Sequence, residues 1–230
     1  MITFFEVSVI VPNGRGNRSL FSDVTLNFGA DERVGILAAP GTGKTTLARV
    51  ASKAEPPSTG HVFHEGKVSW PVGHTGIFHT ELSALDNLNI IGQAIGENPH
   101  KLTEVCLELG FEESRLNVPL RLATPIDRRI LAFGTSMGVH FDYYVADDAL
   151  IMGDGKRRET YEQILSDRLS CAGLLYVSRT VSHLKRFCDR FLVLKDGIIK
   201  PCHDLEMEAR GLNLIASADA RNAEPIEEEV

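Results

Sequence analysis

The sequence predicts an α/β fold built on a mostly parallel sheet, with antiparallel strands at one end, and three observations carry the prediction. Short apolar runs alternate with helical patterns along the chain, the order that produces strand–helix–strand crossovers. One run, Arg33 to Leu37, passes through GILAAPGTGKTTLARV into a glycine-bearing turn and a helix opening at Lys44. Another, YYVAD from Tyr143 to Asp147, is apolar until it ends on a carboxylate, with Asp148 directly after it.

The elements follow in order. Alternating and β-branched runs at Thr3 to Val11 and Val24 to Phe28, separated by the turn-rich PNGRGNRS, predict an antiparallel hairpin-like start. After the strand Arg33 to Leu37 and the helix from Lys44, AEPPSTG (Ala54 to Gly60) ends the helix. From Asp86 to Gly110 the pattern is helical, clearest in Leu102, Val105, Cys106 and Leu109 at i, i+3, i+4 and i+7. A further helix is expected from Pro125 to about Val139, then the strand Tyr143 to Asp147. A helix from Arg157 to Leu169, a buried strand GLLYVS from Gly173 to Ser178 and a helix from Val181 to Cys188 follow. The hairpin FLVLKDGIIK, turning at Asp196 and Gly197, completes the order.

With 230 residues, 43% of them hydrophobic, the chain is long enough for one sizeable core and one compact domain, with room for a small helical lobe. The net charge of -7 argues against nucleic acid as a partner, which calls for a basic stripe. Cys106, Cys171, Cys188 and Cys202 stand far apart without a CxxC pair, so they read as reduced thiols rather than a metal or redox motif. The start, MITFFEVSVIV, lacks a basic leader and is broken by Glu6 and Pro12, which predicts a strand and not a signal peptide. No run of about 18 apolar residues spans a bilayer. The tail AEPIEEEV carries a charge run without periodicity and is expected to be solvated.

Ala38, Ala39, Pro40, Gly41, Thr42, Gly43, Lys44, Thr45 and Thr46 nearly satisfy G-x-x-x-x-G-K-[ST], with Ala38 in place of the first glycine. Glycines at 41 and 43 let backbone N–H groups turn inward around phosphate oxygens, above the positive end of the following helix. Lys44 is expected to reach the terminal phosphates and Thr45 to ligate Mg²⁺, with Asp147 as the second magnesium carboxylate. Asp148 then stands where a general base aligns water. A Gly-Lys-Thr turn at a helix start also arises by chance, but the flanking strand and helix and the distant carboxylate favour nucleotide binding. No N-K-x-D guanine reader is present, which counts against a GTPase.

KVSWPVG (Lys67 to Gly73), GIFHTELSALDNL (Gly76 to Leu88), FDYYVADD (Phe141 to Asp148) and FCDRFLVLKDG (Phe187 to Gly197) carry a resemblance to the ATP-binding subunits of ABC transporters. Within them, the chain is similar to the subgroup exporting capsular and related cell-surface polysaccharides, collinearly from Met1 to about Gly211. The resemblance implies a P-loop core over residues 1–211, with an antiparallel β subdomain, a helical subdomain at about 80–140 and an acidic tail at 212–230. It further implies ATP and Mg²⁺ as ligands and a homodimer or heterodimer in which each ATP lies between one subunit's P-loop and the other's signature motif. The pair would dock on a membrane permease at the cytoplasmic face of the inner membrane, and the lipid-linked glycan would never touch this chain.

Five positions depart from that family pattern. Val11 stands where an aromatic ring stacks on adenine, a contact worth about 1 to 3 kcal/mol; Phe4 or Phe5 could substitute, although core packing is the simpler role for them. His79 aligns with the glutamine linking the γ-phosphate magnesium to the permease, and a polar loop residue is the blander alternative. In LATPIDRR, Leu122 to Arg129, the family's serine and glycines are replaced, and Thr124-Pro125-Ile126-Asp127 reads as a self-capping helix start. Asp148 replaces a glutamate, withdrawing the carboxylate by on the order of 1 Å. Arg179 occupies the place of a histidine that contacts the γ-phosphate and the attacking water; it can donate but not accept. A register shift recruiting His183 is possible in principle, with a surface role preferred. Gly153 and Asp154 still match the loop that touches the partner subunit. The expectation is therefore nucleotide binding with impaired hydrolysis. The alternatives are a non-hydrolysing regulatory subunit beside an active homologue and, more remotely, a small-molecule kinase.

Overall fold

The computed structural model describes residues 1–14, 16–148, 150 and 155–214. Strands β1 (Ile2–Asn13) and β2 (Gly16–Phe28) form a long antiparallel hairpin, and β4 (Thr59–His64) joins β1 in a three-stranded sheet of order β2-β1-β4. Within the stretch from Pro12 to Ser19, expected as a turn, strand pairing continues as far as Asn13 and Gly16: Val11 lies opposite Arg18 and Asn13 opposite Gly16. Its residues are polar because that end of the hairpin is exposed, not because pairing stops.

The second sheet contains β3 (Arg33–Ala38), β5 (Val68–Val72), β6 (Tyr143–Asp147), β7 (Gly173–Ser178), β8 (Arg190–Lys195) and β9 (Ile198–Pro201), in the order β5-β6-β7-β3-β8-β9. All neighbours are parallel except β8 and β9, whose turn places Asp196 and Gly197 at φ 52° and 78°, as a two-residue hairpin with its natural twist requires. β4 and β5 are not evident in the sequence: β4 alternates weakly, and Pro71 discourages a strand reading of β5. The proline is tolerated because β5 is the sheet's edge.

Seven helices are described: α1 (Lys44–Ala51), α2 (Ala84–Ile95), α3 (Pro99–Glu108), α4 (Pro125–Gly138), α5 (Gly155–Leu169), α6 (Val181–Phe187) and α7 (Leu205–Gly211). α7 also escapes a sequence reading, since two turns are too short to establish a period. The stripe Leu102, Cys106 and Leu109 is buried against α4. The helices meet closely there because α4 offers glycines: a Cβ at Gly134 would lie 2.6 Å from Cys106 Sγ, and one at Gly138 2.5 Å from Leu102 Cδ2.

Strand alternation divides the interior into two cores. Leu175 and Val177 of β7, with Tyr143 and Val145 of β6, join Phe4, Phe21, Phe28, Leu47 and Val50 on the side of α1 and the hairpin. Leu174 and Tyr176, with Tyr144 and Ala146, join Leu88, Leu102, Phe133 and Leu184 on the other. Among the described residues, no helix is long and apolar enough to cross a membrane.

Candidate functional site

β3 is flanked by β7 and β8, so the loop after Ala38 leaves the sheet at the carboxyl ends of its central parallel strands. Ala38 is fully buried and ends the strand, and Pro40 is exposed. The Ala39 carbonyl closes the turn by accepting from the Thr42 backbone N–H at 3.3 Å, the Thr42 hydroxyl at 2.7 Å and Lys44 Nζ at 3.4 Å. Gly41 and Gly43 adopt φ 77° and 102°, a region closed to most side chains. A Cβ at Gly41 would meet nothing within 4 Å, so the loop is open on that side.

α1 begins without a side-chain cap and without an acidic residue in its first turn, leaving its N–H groups available to an anion. The Thr45 hydroxyl donates to Asp147 Oδ2 at 2.5 Å across 102 residues of sequence, because α1 packs against β6 and β7. Partial burial pushes the Asp147 carboxyl above its ordinary range; the Thr45 hydroxyl opposes this, Asp148 adds to it, and Lys44 opposes it.

Asp148 takes a left-handed conformation, φ 48°, which aspartate tolerates better than most residues. Its Oδ1 accepts from the Ser178 hydroxyl at 2.8 Å and from the Arg179 backbone N–H at 3.1 Å, while Oδ2 lies 3.7 Å from Lys44 Nζ. Ser178 is fully buried, and its oxygen also accepts from the Thr180 N–H at 3.1 Å. One carboxylate oxygen of Asp148 is thus held by protein donors and the other faces the loop. The sequence reading missed Ser178, although a hydroxyl at the end of a buried strand, one residue before Arg179, is the signal for it.

Lys44, Thr45, Asp147 and Asp148 therefore converge, and Thr46 follows within α1. Other expected residues stand further off. The Arg179 side chain is exposed on the rim of a cavity of about 610 Å³ that also borders Pro40, Ser182, Lys185 and Leu214. His79 is exposed, its backbone stapled to α2 by Asn87, which accepts from the His79 N–H at 2.8 Å and donates to its carbonyl at 3.1 Å. Val11 is half-buried against the hairpin-side core. Phe4 is fully buried edge-on to Phe28 at 5.7 Å, so it offers no ring to a ligand, and Phe5 is half-exposed. His183, for which a surface role is expected, is half-buried, with Nδ1 3.4 Å from the Tyr176 hydroxyl. Burial holds its pKa below the ordinary value, helped by Arg158. Gly153 and Asp154 lie outside the described residues.

The start of α4 is the opposite of the start of α1. Thr124 accepts from the Asp127 N–H at 3.1 Å, and the Asp127 carboxylate accepts from the Thr124 N–H at 3.1 Å and its hydroxyl at 2.8 Å, a complete capping box. Arg115 adds an ion pair to the same carboxylate. Burial pushes the Asp127 carboxyl upward, but the Thr124 and Arg115 donors outweigh it and hold it below the usual range. Ile126 and Leu122 are each 62% exposed beside this closed helix end.

These features fit a triphosphate with a divalent cation. The uncapped α1, the open glycine and the ammonium suit phosphate oxygens; a hydroxyl and a carboxylate are hard donors suited to Mg²⁺. Among the described residues no cluster of three or more His, Cys, Asp or Glu side chains stands ready to hold a metal alone.

No protein-family model matches the chain. A capsule polysaccharide export ATP-binding protein of Neisseria meningitidis, CtrD, is 30% identical over 209 residues, which cover 90% of this chain and 95% of the relative. The chain belongs to the polysaccharide-export ATP-binding proteins of ABC transporters. The ATP-binding protein BexA of Haemophilus influenzae is 29% identical over 191 residues, covering 83% of this chain and 88% of BexA. The polysialic acid transport ATP-binding protein KpsT of Escherichia coli is 28% identical over 189 residues, covering 80% and 83%. In fold, this polysaccharide-export ATP-binding protein matches the ATP-binding cassette MJ0796, solved as a dimer bound to ADP and Pi. The TM-score is 0.72 with 18% identity, over 89% of this chain and 100% of that one.

Proposed function

We propose that residues 1–211 form the ATP-binding domain of an ABC exporter of capsular or other cell-surface polysaccharide, with a helical lobe at about 80–140. It binds MgATP, pairs with a second ATP-binding subunit and drives a membrane permease from the cytoplasmic face of the inner membrane. The observation that carries this reading is the convergence of Lys44, Thr45, Asp147 and Asp148 at an uncapped helix start.

In this reading the amides of residues 41–45 and the Lys44 ammonium hold the β- and γ-phosphates, and Thr45 and Asp147 hold the cation. Bound Mg²⁺ supplies neutralisation of charge on the transferring phosphoryl group. Asp148 Oδ2 accepts the hydrogen bond of the attacking water, and Arg179 donates to phosphate when the site closes. His79 lies on the loop toward the permease. Hydrolysis is slow because Asp148 is short and Ser178 holds one of its oxygens back. Asp127 and Arg115 close the α4 end that would otherwise receive a partner's γ-phosphate.

Calorimetry of the purified chain with MgATP tests the reading. A saturable heat that disappears in Lys44→Ala is expected; no saturable heat at millimolar ATP overturns it.

A further inference from the structure

The hairpin rim beside the phosphate loop carries a cation, Arg18. Arg18 on β2 stands directly opposite Val11 on β1, and directly opposed residues of an antiparallel pair present their side chains on one face. Its guanidinium reaches the loop, where Nη2 donates to the Gly41 carbonyl at 3.0 Å. Among the described residues, no carboxylate forms an ion pair with it, so its plane and charge stay available. The space beside Gly41 is open, as the absence of any atom within 4 Å of a Cβ there indicates.

We propose that Arg18 is the nucleobase platform of this site, its guanidinium plane serving where Val11 offers no ring. The proposal rests on the nucleotide-binding reading of residues 38–46. A guanidinium is planar, delocalised and weakly hydrated, so it stacks on aromatic faces as an ammonium cannot. The bond to Gly41 tethers the guanidinium next to the phosphate loop, beside the open space at Gly41, and Val11 opposite it offers no competing ring. Stacking is tolerant because every base has a π-face, so the site takes nucleoside triphosphates with little preference between adenine and guanine.

Calorimetry on the full chain with MgATP, MgGTP and magnesium tripolyphosphate, which has no base, tests this. Arg18→Ala is expected to weaken both nucleotides by roughly 5- to 150-fold while leaving tripolyphosphate unchanged. Arg18→Lys, which keeps a charge but loses the plane, should not restore nucleotide affinity; adding Val11→Tyr to Arg18→Ala should. Because Arg18 is exposed, thermal unfolding of the variants should match the parent, and Arg18→Lys provides a second reading if alanine disturbs the hairpin. Equal weakening of tripolyphosphate and nucleotides overturns the proposal and makes Arg18 a loop tether or phosphate-side charge. Unchanged nucleotide affinity in Arg18→Ala, or full rescue by lysine, overturns it as well. If the parent chain binds neither nucleotides nor tripolyphosphate, the nucleotide reading itself falls.

Discussion

Replacing Asp148 with glutamate is the perturbation that best separates a slow ATPase from a dead one. The aspartate is held by two donors, Ser178 Oγ at 2.8 Å and the Arg179 N–H at 3.1 Å, and sits at φ 48°. A glutamate carboxylate advances by on the order of 1 Å toward the phosphate loop, and a displacement of that size at a reacting centre is worth about 100-fold in rate. The same change gives up both hydrogen bonds, at about 1 kcal/mol each, and puts a longer side chain in the left-handed region. With the site partly exposed, the total comes to about 2–3 kcal/mol, or roughly 4 to 12 °C in Tm for a chain of this size. Steady-state phosphate release at saturating MgATP, read beside thermal unfolding, should show turnover rising while Tm falls. Ser178→Ala releases the native carboxylate without lengthening it and should raise turnover more modestly. If both variants bind MgATP like the parent and neither exceeds its turnover, Asp148 is not held short of its task.

Other outcomes follow from the same geometry. Thr45→Ala should abolish the gain in ATP affinity that Mg²⁺ confers while leaving metal-free ATP binding intact, as calorimetry with and without chelator would record. Thr124→Ala removes the α4 cap and should cost about 1 kcal/mol in chemical denaturation. Asp127 has a folded-state pKa below its ordinary 3.8. Its contribution is complete above about pH 4 and is lost as the pH falls through the folded value, so the deficit of Thr124→Ala should shrink there. Gly60→Ala places a Cβ 2.2 Å from the Glu6 carbonyl at φ 80°, so it should sharply reduce the yield of folded protein, with circular dichroism as the check.

The parallel core was legible because its strands are short apolar runs with no competing helical reading, and Lys44 to Ala51 because a glycine turn precedes it. The α4 start was legible for a local reason: Thr124, Pro125 and Asp127 cap their own helix within four residues. What stayed hidden depends on neighbours distant in sequence. β5 contains Pro71, whose tolerance follows from an edge position that only the strand order reveals. The hairpin rim reads as a loop because exposure, rather than pairing, selects its polar residues. Ser178 and Arg18 acquire meaning only through Asp148, thirty residues away from the former, and Gly41, twenty-three from the latter.

The occluded end of α4 has a consequence for stoichiometry. If the chain pairs as proposed, with each nucleotide shared between two subunits, a twofold-symmetric pair withholds this helix end twice, and both composite sites would lose the same donor. Beside a subunit with an unobstructed helix end, the loss is confined to one site and the other retains its full complement. In the proposed assembly, counting nucleotides trapped per pair would therefore separate an identical partner from a different one.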